Sequence, residues 1–189
     1  LERLAADAPK CLVEIDGQSL LERALDALAS QGVAEAVIVV GYRGEAVRER
    51  IGSRFAGVDI HYVEAPDFET TNNIRSLWDA REYLDEDVLL IEADVAFDSS
   101  VIGALLQQPG SSIAVAPYHR GLSGTVVRRD ERGHVTGFVL PADQDEYLDA
   151  NVMFKTVNIY LLREELLRDQ LVPRLCRAIE AGHVHDYYE

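Results

Sequence analysis

Two lysines are the first candidates for chemistry in this sequence. Lys10 and Lys155 are the only lysines among 18 basic residues, and the other 16 are arginine. A bias toward arginine can be a property of composition alone. Composition therefore leaves open whether the two lysines matter, and their sequence context has to decide.

An acid at the end of an apolar run is the second candidate. Asp94 follows the run 88–91 after two intervening residues. In open α/β sheets ligands bind at the carboxyl ends of parallel strands, so an acid that ends a strand lies at the ligand edge. A carboxylate there suits Mg²⁺, which takes one or two protein carboxylates together with substrate phosphates. Capping of the following turn is the alternative role for Asp94.

Apolar runs and helix signals alternate in the first part of the chain. Ser19 stands three residues before Glu22, the spacing of a capping box, which predicts a helix that ends before Gly32. The pattern predicts strands near 11–15, 36–40, 58–63, 88–94 and 112–118, with further helices near 45–55, 72–84 and 100–107. This alternation favours a largely parallel sheet with helices on both faces.

The pattern changes after residue 118. Segments 124–129 and 134–140 flank a turn with a glycine at position 133, which predicts a β-hairpin. A long strand over 152–162 and helices near 163–169 and 173–181 follow. Because no repeat or linker interrupts the chain, we expect a single domain over residues 1–189.

Charge and cysteine content narrow the class of protein. The net charge is -15, with 33 acidic residues, which argues against binding to nucleic acid or to anionic lipid. Cys11 and Cys176 form no disulfide framework or metal-binding spacing. The apolar runs are too short to cross a bilayer, and no signal segment opens the chain. We expect a soluble cytoplasmic protein.

Several segments resemble a known superfamily. Residues 8–15, Ala-Pro-Lys-Cys-Leu-Val-Glu-Ile, resemble the Pro-Lys signature of the nucleotidyltransferases that join an NTP to a phosphorylated small molecule. Arg3-Leu4 stands just upstream, Gly41-Tyr42 follows the second strand, and Glu92-Ala93-Asp94 takes the place of the strand-end acid. Lys10 lies in the Pro-Lys segment, and Lys155 lies in a further segment, residues 155–160, that also resembles relatives of this superfamily; a compact point charge fits between phosphates at such positions.

Two further segments resemble one branch of that superfamily. Asn72-Asn73-Ile74-Arg75-Ser76-Leu77 looks like the helix start of phosphocholine cytidylyltransferases, and 155–160 looks like a strand of relatives that act on phosphonates. The resemblance implies a Rossmann-like three-layer α/β/α nucleotidyltransferase fold with a mostly parallel mixed central sheet and a β-hairpin insertion. It also implies transfer of CMP from CTP to a small phosphonate or phosphomonoester, with release of pyrophosphate.

The resemblance assigns roles to individual residues. Arg3 and Lys10 would hold the triphosphate as catalytic groups, and Mg²⁺ on Asp94, the third catalytic residue, would bridge the α-phosphate and the acceptor. Lys155 would hold the acceptor and orient its oxygen. That oxygen is already an anion, so none of the five histidines is expected to act as a base. The remaining expected contacts are Asn73, Ser76 and Glu92 for the nucleotide, Asn72, Asn73, Asn158 and Trp78 for the acceptor, and Glu189 or Asp186 for a second metal position.

Some features depart from the family pattern. The opening strand and glycine-rich loop are not found ahead of Leu1, which predicts a domain truncated at that edge. Several expected site residues have alternative structural roles. Asn72 and Asn73 could cap a helix, and Trp78 could lie in the core. Glu189 and Asp186 could belong to a frayed tail. Residues 121–125 contain no tryptophan to hold choline by cation–π contact, which favours 2-hydroxyethylphosphonate or 2-aminoethylphosphonate over phosphocholine.

Other functions remain open at this point. A sugar-1-phosphate nucleotidyltransferase shares the fold, and a non-catalytic nucleotide-binding domain would explain the missing loop. A glycosyltransferase usually carries Asp-x-Asp, and Asp94-Val95-Ala96 lacks the second acid. A homodimer or fusion to another enzyme domain is also compatible with the sequence.

Overall fold

The capping box at Ser19 begins the first helix. In the computed structural model, which describes residues 8–119, 122–144 and 152–188, helix α1 spans Leu20–Ser30. The Ser19 hydroxyl accepts from the Glu22 amide at 3.2 Å, and the Glu22 carboxylate accepts from the Ser19 amide at 2.8 Å. The predicted helix start is therefore confirmed.

The predicted strand over 11–15 is wrong in its first half. A 3₁₀ turn over Lys10–Leu12 comes first, and strand β1 covers only Glu14–Ile15, paired with β2 at Gln18–Ser19. Asp16 and Gly17 both have positive φ, so a two-residue turn closes a hairpin here and shortens the strand.

The other elements follow the predicted alternation, with bounds that differ by a few residues. The predicted helix near 45–55 is wrong in its last part, because it ends at Ile51 and a short strand follows at Arg54–Phe55. The strands are β3 (Glu35–Val40), β4 (Arg54–Phe55), β5 (Val58–Glu64), β6 (Val88–Ile91), β7 (Ser112–Pro117), β8 (Val126–Arg129), β9 (Val135–Val139) and β10 (Met153–Leu162). The helices are α2 (Gly44–Ile51), α3 (Asn73–Asp79), α4 (Ser100–Leu106), α5 (Glu164–Leu166) and α6 (Val172–Glu180), with a π turn at Leu167–Leu171. The hairpin of β8 and β9 is present as predicted.

The long strand β10 organises the larger sheet. It pairs antiparallel with β7 along one edge, and with β6 and then β8 along the other. Strands β6 and β7 therefore run in the same direction, as the alternation predicted, but β10 lies between them. Among the described residues every ladder of this sheet is antiparallel. The parallel ladder, β3 with β5, belongs to a separate three-stranded sheet with β4, so the strand pairing is mixed rather than mostly parallel.

Strand β6 is covered on both faces. Leu89 and Ile91 pack in one hydrophobic cluster with residues of α1, α2 and α4, and Val88 and Leu90 pack in another with residues of α3 and α6. Alternate side chains of a strand point to opposite faces, so this division confirms the α/β/α layers.

A groove of about 560 Å³ runs between β3 and β6. Apolar residues of α1 line it, including Leu21, Leu25 and Leu28, and α3 contributes Leu77. In the part of the chain that the structure describes, no backbone ladder joins β3 to β6. Within the same part, no helix has the length and apolar content needed to cross a bilayer.

An ion pair between Glu22 and Arg50 joins α1 to α2. The Arg50 guanidinium donates to both carboxylate oxygens of Glu22, at 2.8 and 3.0 Å, and also to Glu14 at 2.9 Å. The Arg50 hydrogen bond, assisted by the Ser19 amide and hydroxyl, lowers the pKa of Glu22 from 4.5 to about 2. A carboxyl whose pKa falls on folding stabilises the fold above its unfolded pKa, and this contribution is lost as the pH falls from about 4.5 to about 2.

Replacing Glu22 with glutamine should lower the free energy of unfolding at pH 7 by about 1–2 kcal/mol, because a charged acceptor of several hydrogen bonds is lost. Urea unfolding at pH 7 and pH 3 measures this, and the difference from the native protein should be smaller at pH 3. Glu14→Gln is the matched control, since the Glu14 side chain is 50% exposed and that of Glu22 only 12%. Equal losses in the two variants would contradict the assignment.

Candidate functional site

The end of β6 brings several predicted site residues together through Glu92. One carboxylate oxygen of Glu92 accepts from Asn158 Nδ2 at 2.8 Å. The other accepts from the Tyr188 hydroxyl at 3.3 Å and from Asn73 Nδ2 at 3.4 Å. Helix α3, strand β10 and the C-terminal segment therefore meet at one carboxylate.

Asn158 occupies an unusual position in β10. Its φ is +57°, in the left-handed region, and the pairing of β10 with β7 shifts register between Thr156 and Tyr160. Asparagine tolerates this conformation better than most residues. Its side-chain oxygen accepts from the Thr156 hydroxyl at 2.8 Å, so its amide joins Thr156 to Glu92.

Lys155 lies beside this bulge. Its ammonium donates to the Thr156 carbonyl at 2.7 Å and lies 3.3 Å from the Thr156 hydroxyl. A Cβ on Gly124 would come within 2.7 Å of the Lys155 Nζ, so the absence of a side chain at Gly124 makes room for the ammonium. The backbone of Gly124 has a φ of +99°, which also favours glycine.

The Pro-Lys segment reaches the same strand end. Cys11 is close enough to Asp94 for the carboxylate charge to affect its thiol. Burial is the larger cause, and together with the Asp94 charge it raises the pKa of Cys11 from 9.0 to about 11. Cys11 is therefore a neutral thiol at pH 7, and the exposed Lys10 lies next to it in the chain.

Asn72 and Asn73 hold the C-terminal segment. The Asn72 side chain accepts from the Asn73 amide at 2.8 Å and so caps α3, while the Asn72 amide donates to the Val184 carbonyl at 2.8 Å. The Asn73 side-chain oxygen accepts from the Tyr188 amide at 3.2 Å. Asn72 therefore caps α3, which was the alternative role considered for it. Asn72 and Asn73 also make long-range contacts that the sequence pattern did not indicate.

Other expected site residues have different surroundings. The Trp78 side chain packs with the second hydrophobic cluster, and its ring centroid lies 4.4 Å from the Cζ atom of Arg81. These contacts favour a structural role for Trp78. Asp186 is exposed and hydrogen-bonds the His183 ring at 3.0 Å. Ser76 lines the groove between β3 and β6. Arg3 and Glu189 lie outside the described residues.

Sequence reasoning missed three residues of this site. The sequence pattern assigned no role to Tyr188, and it included Thr156 and Gly124 only as members of longer segments. For Thr156 the available signal was a polar residue in a strand that is mostly apolar, because buried polar groups need partners.

The donor set around β6 is compatible with a magnesium ion. Among residues 8–119, 122–144 and 152–188, no group of three or more His, Cys, Asp or Glu side chains could hold a metal by itself. Glu92 accepts three hydrogen bonds, and the half-buried Asp94 follows it two residues later as a second carboxylate after β6. Mg²⁺ commonly takes one or two protein carboxylates and completes its shell with phosphates and water, so this donor set fits it.

A three-layer α/β domain with an acid after a central strand is typical of the class of α/β proteins that bind ligands at the carboxyl ends of their strands. More closely, the chain belongs to the family described as the MobA-like NTP transferase domain, which residues 2–151 match. The predicted superfamily is thereby confirmed.

The chain is similar to CMP-5'-(3-aminopropyl)phosphonate synthase of Streptomyces rubellomurinus. The two are 46% identical over 168 residues, which cover 88% of this chain and 27% of that protein. The chain thus spans about a quarter of the length of this relative.

Solved structures confirm the fold. The CTP:phosphocholine cytidylyltransferase of Streptococcus pneumoniae matches with a TM-score of 0.67 at 16% identity, over 100% of this chain and 76% of that one. The inositol-1-phosphate CTP transferase of T. maritima matches with a TM-score of 0.65 at 19% identity, over 96% of this chain and 77% of that one.

Proposed function

We propose that the protein transfers the CMP group of CTP to a small alkylphosphonate and releases pyrophosphate. The observation that carries this proposal is the similarity to the CMP-aminopropylphosphonate synthase, which at 46% identity covers 88% of the chain. The family resemblance places the acceptor at Lys155, which lies beside the bulge at Asn158. The absence of tryptophan from residues 121–125 is consistent with an acceptor other than phosphocholine.

The reaction is a displacement at phosphorus. A phosphonate oxygen forms a bond to the α-phosphorus of CTP, the bond from that phosphorus to the bridging oxygen breaks, and pyrophosphate leaves with the electron pair. Lys155 binds and orients the phosphonate, which is already an anion at neutral pH. Lys10, with Arg3, binds the triphosphate and offsets the negative charge that develops.

Magnesium is the proposed cofactor, with Asp94 as its protein ligand. When bound, the ion supplies Lewis-acid stabilisation of phosphate charge. Glu92 has a different proposed task, because its hydrogen bonds hold Asn73 and Asn158 in place. Lys10 and Asp94 therefore act on the nucleotide side, and Lys155 on the acceptor side.

The proposed domain organisation has support in the packing. The largest hydrophobic cluster joins residues from Leu21 to Leu161, as expected for one domain. A cytoplasmic location, and a dimer or a fusion partner, stay predictions.

The acceptor assay tests the function directly. With Mg²⁺ and CTP, pyrophosphate release should be at least about tenfold faster with aminoalkyl- or hydroxyalkylphosphonates than with phosphocholine or glucose 1-phosphate, the range of one or two lost contacts. CTP should be preferred over ATP, GTP and UTP in the same assay.

Three outcomes would overturn parts of the proposal. A preference for phosphocholine would reject the argument from the missing aromatic residues. A preference for glucose 1-phosphate would establish the sugar-nucleotide alternative. Calorimetric binding of CTP without any turnover would indicate a nucleotide-binding domain that is not an enzyme.

A further inference from the structure

Tyr188 of the C-terminal segment contacts the Glu92 carboxylate through its hydroxyl group. Tyr188 donates from its hydroxyl to Glu92 at 3.3 Å, and its ring packs edge-on against Tyr160 with centroids 5.9 Å apart. Its backbone amide donates separately to Asn73. The hydroxyl can therefore be removed while the ring packing and the backbone contact remain.

From Glu92 a continuous set of contacts leads to the acceptor lysine. The second oxygen of Glu92 accepts from Asn158, and the Asn158 side-chain oxygen accepts from the Thr156 hydroxyl, both at 2.8 Å. The Thr156 hydroxyl and carbonyl contact the Lys155 ammonium. We call these residues, Tyr188, Glu92, Asn158, Thr156 and Lys155, the Glu92 network.

The backbone conformation at Asn158 explains why this network needs support. A left-handed residue inside a strand is strained, and such residues persist where surrounding contacts hold them. Glu92 holds Asn158 by its side-chain amide and also donates its own backbone amide to the Asn158 carbonyl at 3.1 Å. The orientation of the Glu92 carboxylate thus affects the bulge and, through Thr156, the ammonium of Lys155.

We infer that Tyr188 is a positioning residue that sets the place of the Lys155 ammonium, and so acceptor binding, by orienting Glu92 against Asn158. The inference rests on the proposed function only for its kinetic consequence. Tyr188 does not touch the acceptor in this scheme. Its effect should appear in acceptor KM and not in the affinity for CTP.

The first experiment is kinetic. Tyr188→Phe should raise the KM for a phosphonate acceptor about fivefold, the effect of weakening one hydrogen bond, with the calorimetric Kd for CTP unchanged. Tyr187→Phe is the matched control, because Tyr187 is 50% exposed and loses the same atom. A lowered melting temperature, with KM raised equally for both substrates, would show a merely structural role and overturn the inference.

A double-mutant cycle locates the route of the effect. Asn158→Gly keeps a residue suited to the left-handed backbone but removes the amide that joins Glu92 to Thr156. In that background Tyr188→Phe should have almost no further effect on acceptor KM, since both changes interrupt the same contacts. Additive effects would reject the Glu92 network as the route.

A chemical readout separates this inference from the proposed function. The 189 residues contain two lysines, so Lys10 serves as an internal reference for acylation of Lys155, measured by mass spectrometry. Tyr188→Phe should change the Lys155-to-Lys10 labelling ratio by at least about twofold, as expected for a weakened hydrogen bond, even if no acceptor tested is a substrate. An unchanged ratio would overturn the inference, whereas a changed ratio without turnover would reject only the proposed reaction.

Discussion

Replacing Lys155 with methionine should raise the KM for the phosphonate acceptor by about 30- to 140-fold. The estimate follows from loss of a charged hydrogen-bond donor to an anion, worth about 2–3 kcal/mol, at 1.4 kcal/mol for each factor of ten. The Kd for CTP should stay within about twofold, since single surface changes away from a ligand usually have small effects. Initial rates of pyrophosphate release and calorimetry with CTP measure the two quantities.

The geometry around Lys155 also predicts that arginine cannot replace it. The ammonium lies so close to Gly124 that even an added Cβ would approach it to 2.7 Å. A planar guanidinium is wider and presents its donors in a fixed fork. Lys155→Arg should therefore restore little of the acceptor affinity although it keeps the positive charge.

Lys10→Met is the matched comparison for Lys155→Met. It removes the other lysine of the chain, and it should weaken CTP binding while leaving the acceptor KM nearly unchanged. If Lys155→Met weakened CTP as much as Lys10→Met, the division between an acceptor lysine and a nucleotide lysine would be wrong.

Local signals in the sequence predicted the elements that short-range chemistry determines. The capping box at Ser19 and Glu22 gave the correct start of α1, because both partners lie within one helical turn. The apolar run before Glu92 correctly indicated a strand covered on both faces. The hairpin with Gly133 formed as expected, and Gly133 has a φ of +87°.

Long-range pairing could not be predicted in the same way. Nothing in the residues of β10 states that it lies between β6 and β7, since that position depends on which strand edges are free in the folded chain. The positive φ of Asn158 depends on this pairing as well, because the bulge exists only against the register of β7. The expectation of a mostly parallel sheet failed for this reason.

The sequence indicated several residues of the candidate site, but it did not indicate the hydrogen bonds between them. The family resemblance led to Glu92, Asn73 and Asn158 as separate contacts to ligands, whereas the structure shows that Glu92 binds the other two. Tyr188 reaches this group from 96 residues further along the chain. Sequence spacing contains no signal for a contact at that distance.

Asp94→Asn should lower kcat for CMP transfer by about 10³-fold, the scale at which loss of a preorganised electrostatic group slows a reaction. The change removes the charge at the end of β6 and keeps the shape of the side chain. Asp98→Asn is the matched control, because Asp98 is an exposed acid on the same loop that accepts from the Ser100 amide at 2.9 Å. The control should retain nearly full activity.

The pKa of Cys11 provides an independent measurement of the effect of Asp94→Asn. The Asp94 charge is one of the causes that raise the pKa of Cys11 to about 11, so Asp94→Asn should lower that pKa. Burial is the larger cause and remains, so the pKa should stay above its ordinary value of 9.0. The pH dependence of alkylation, followed by mass spectrometry of the Cys11 peptide, measures the shift without any substrate or metal.

The catalytic activity and the Cys11 pKa of Asp94→Asn together show what Asp94 does. Loss of activity with a lowered Cys11 pKa places the charge of Asp94 beside the Pro-Lys segment and makes it necessary for transfer. Binding of Mg²⁺ with CTP, measured by calorimetry, should weaken in Asp94→Asn and not in Asp98→Asn. Full activity with a lowered Cys11 pKa would show that Asp94 is only a neighbour of that segment, because the carboxylate would then be gone without consequence for catalysis.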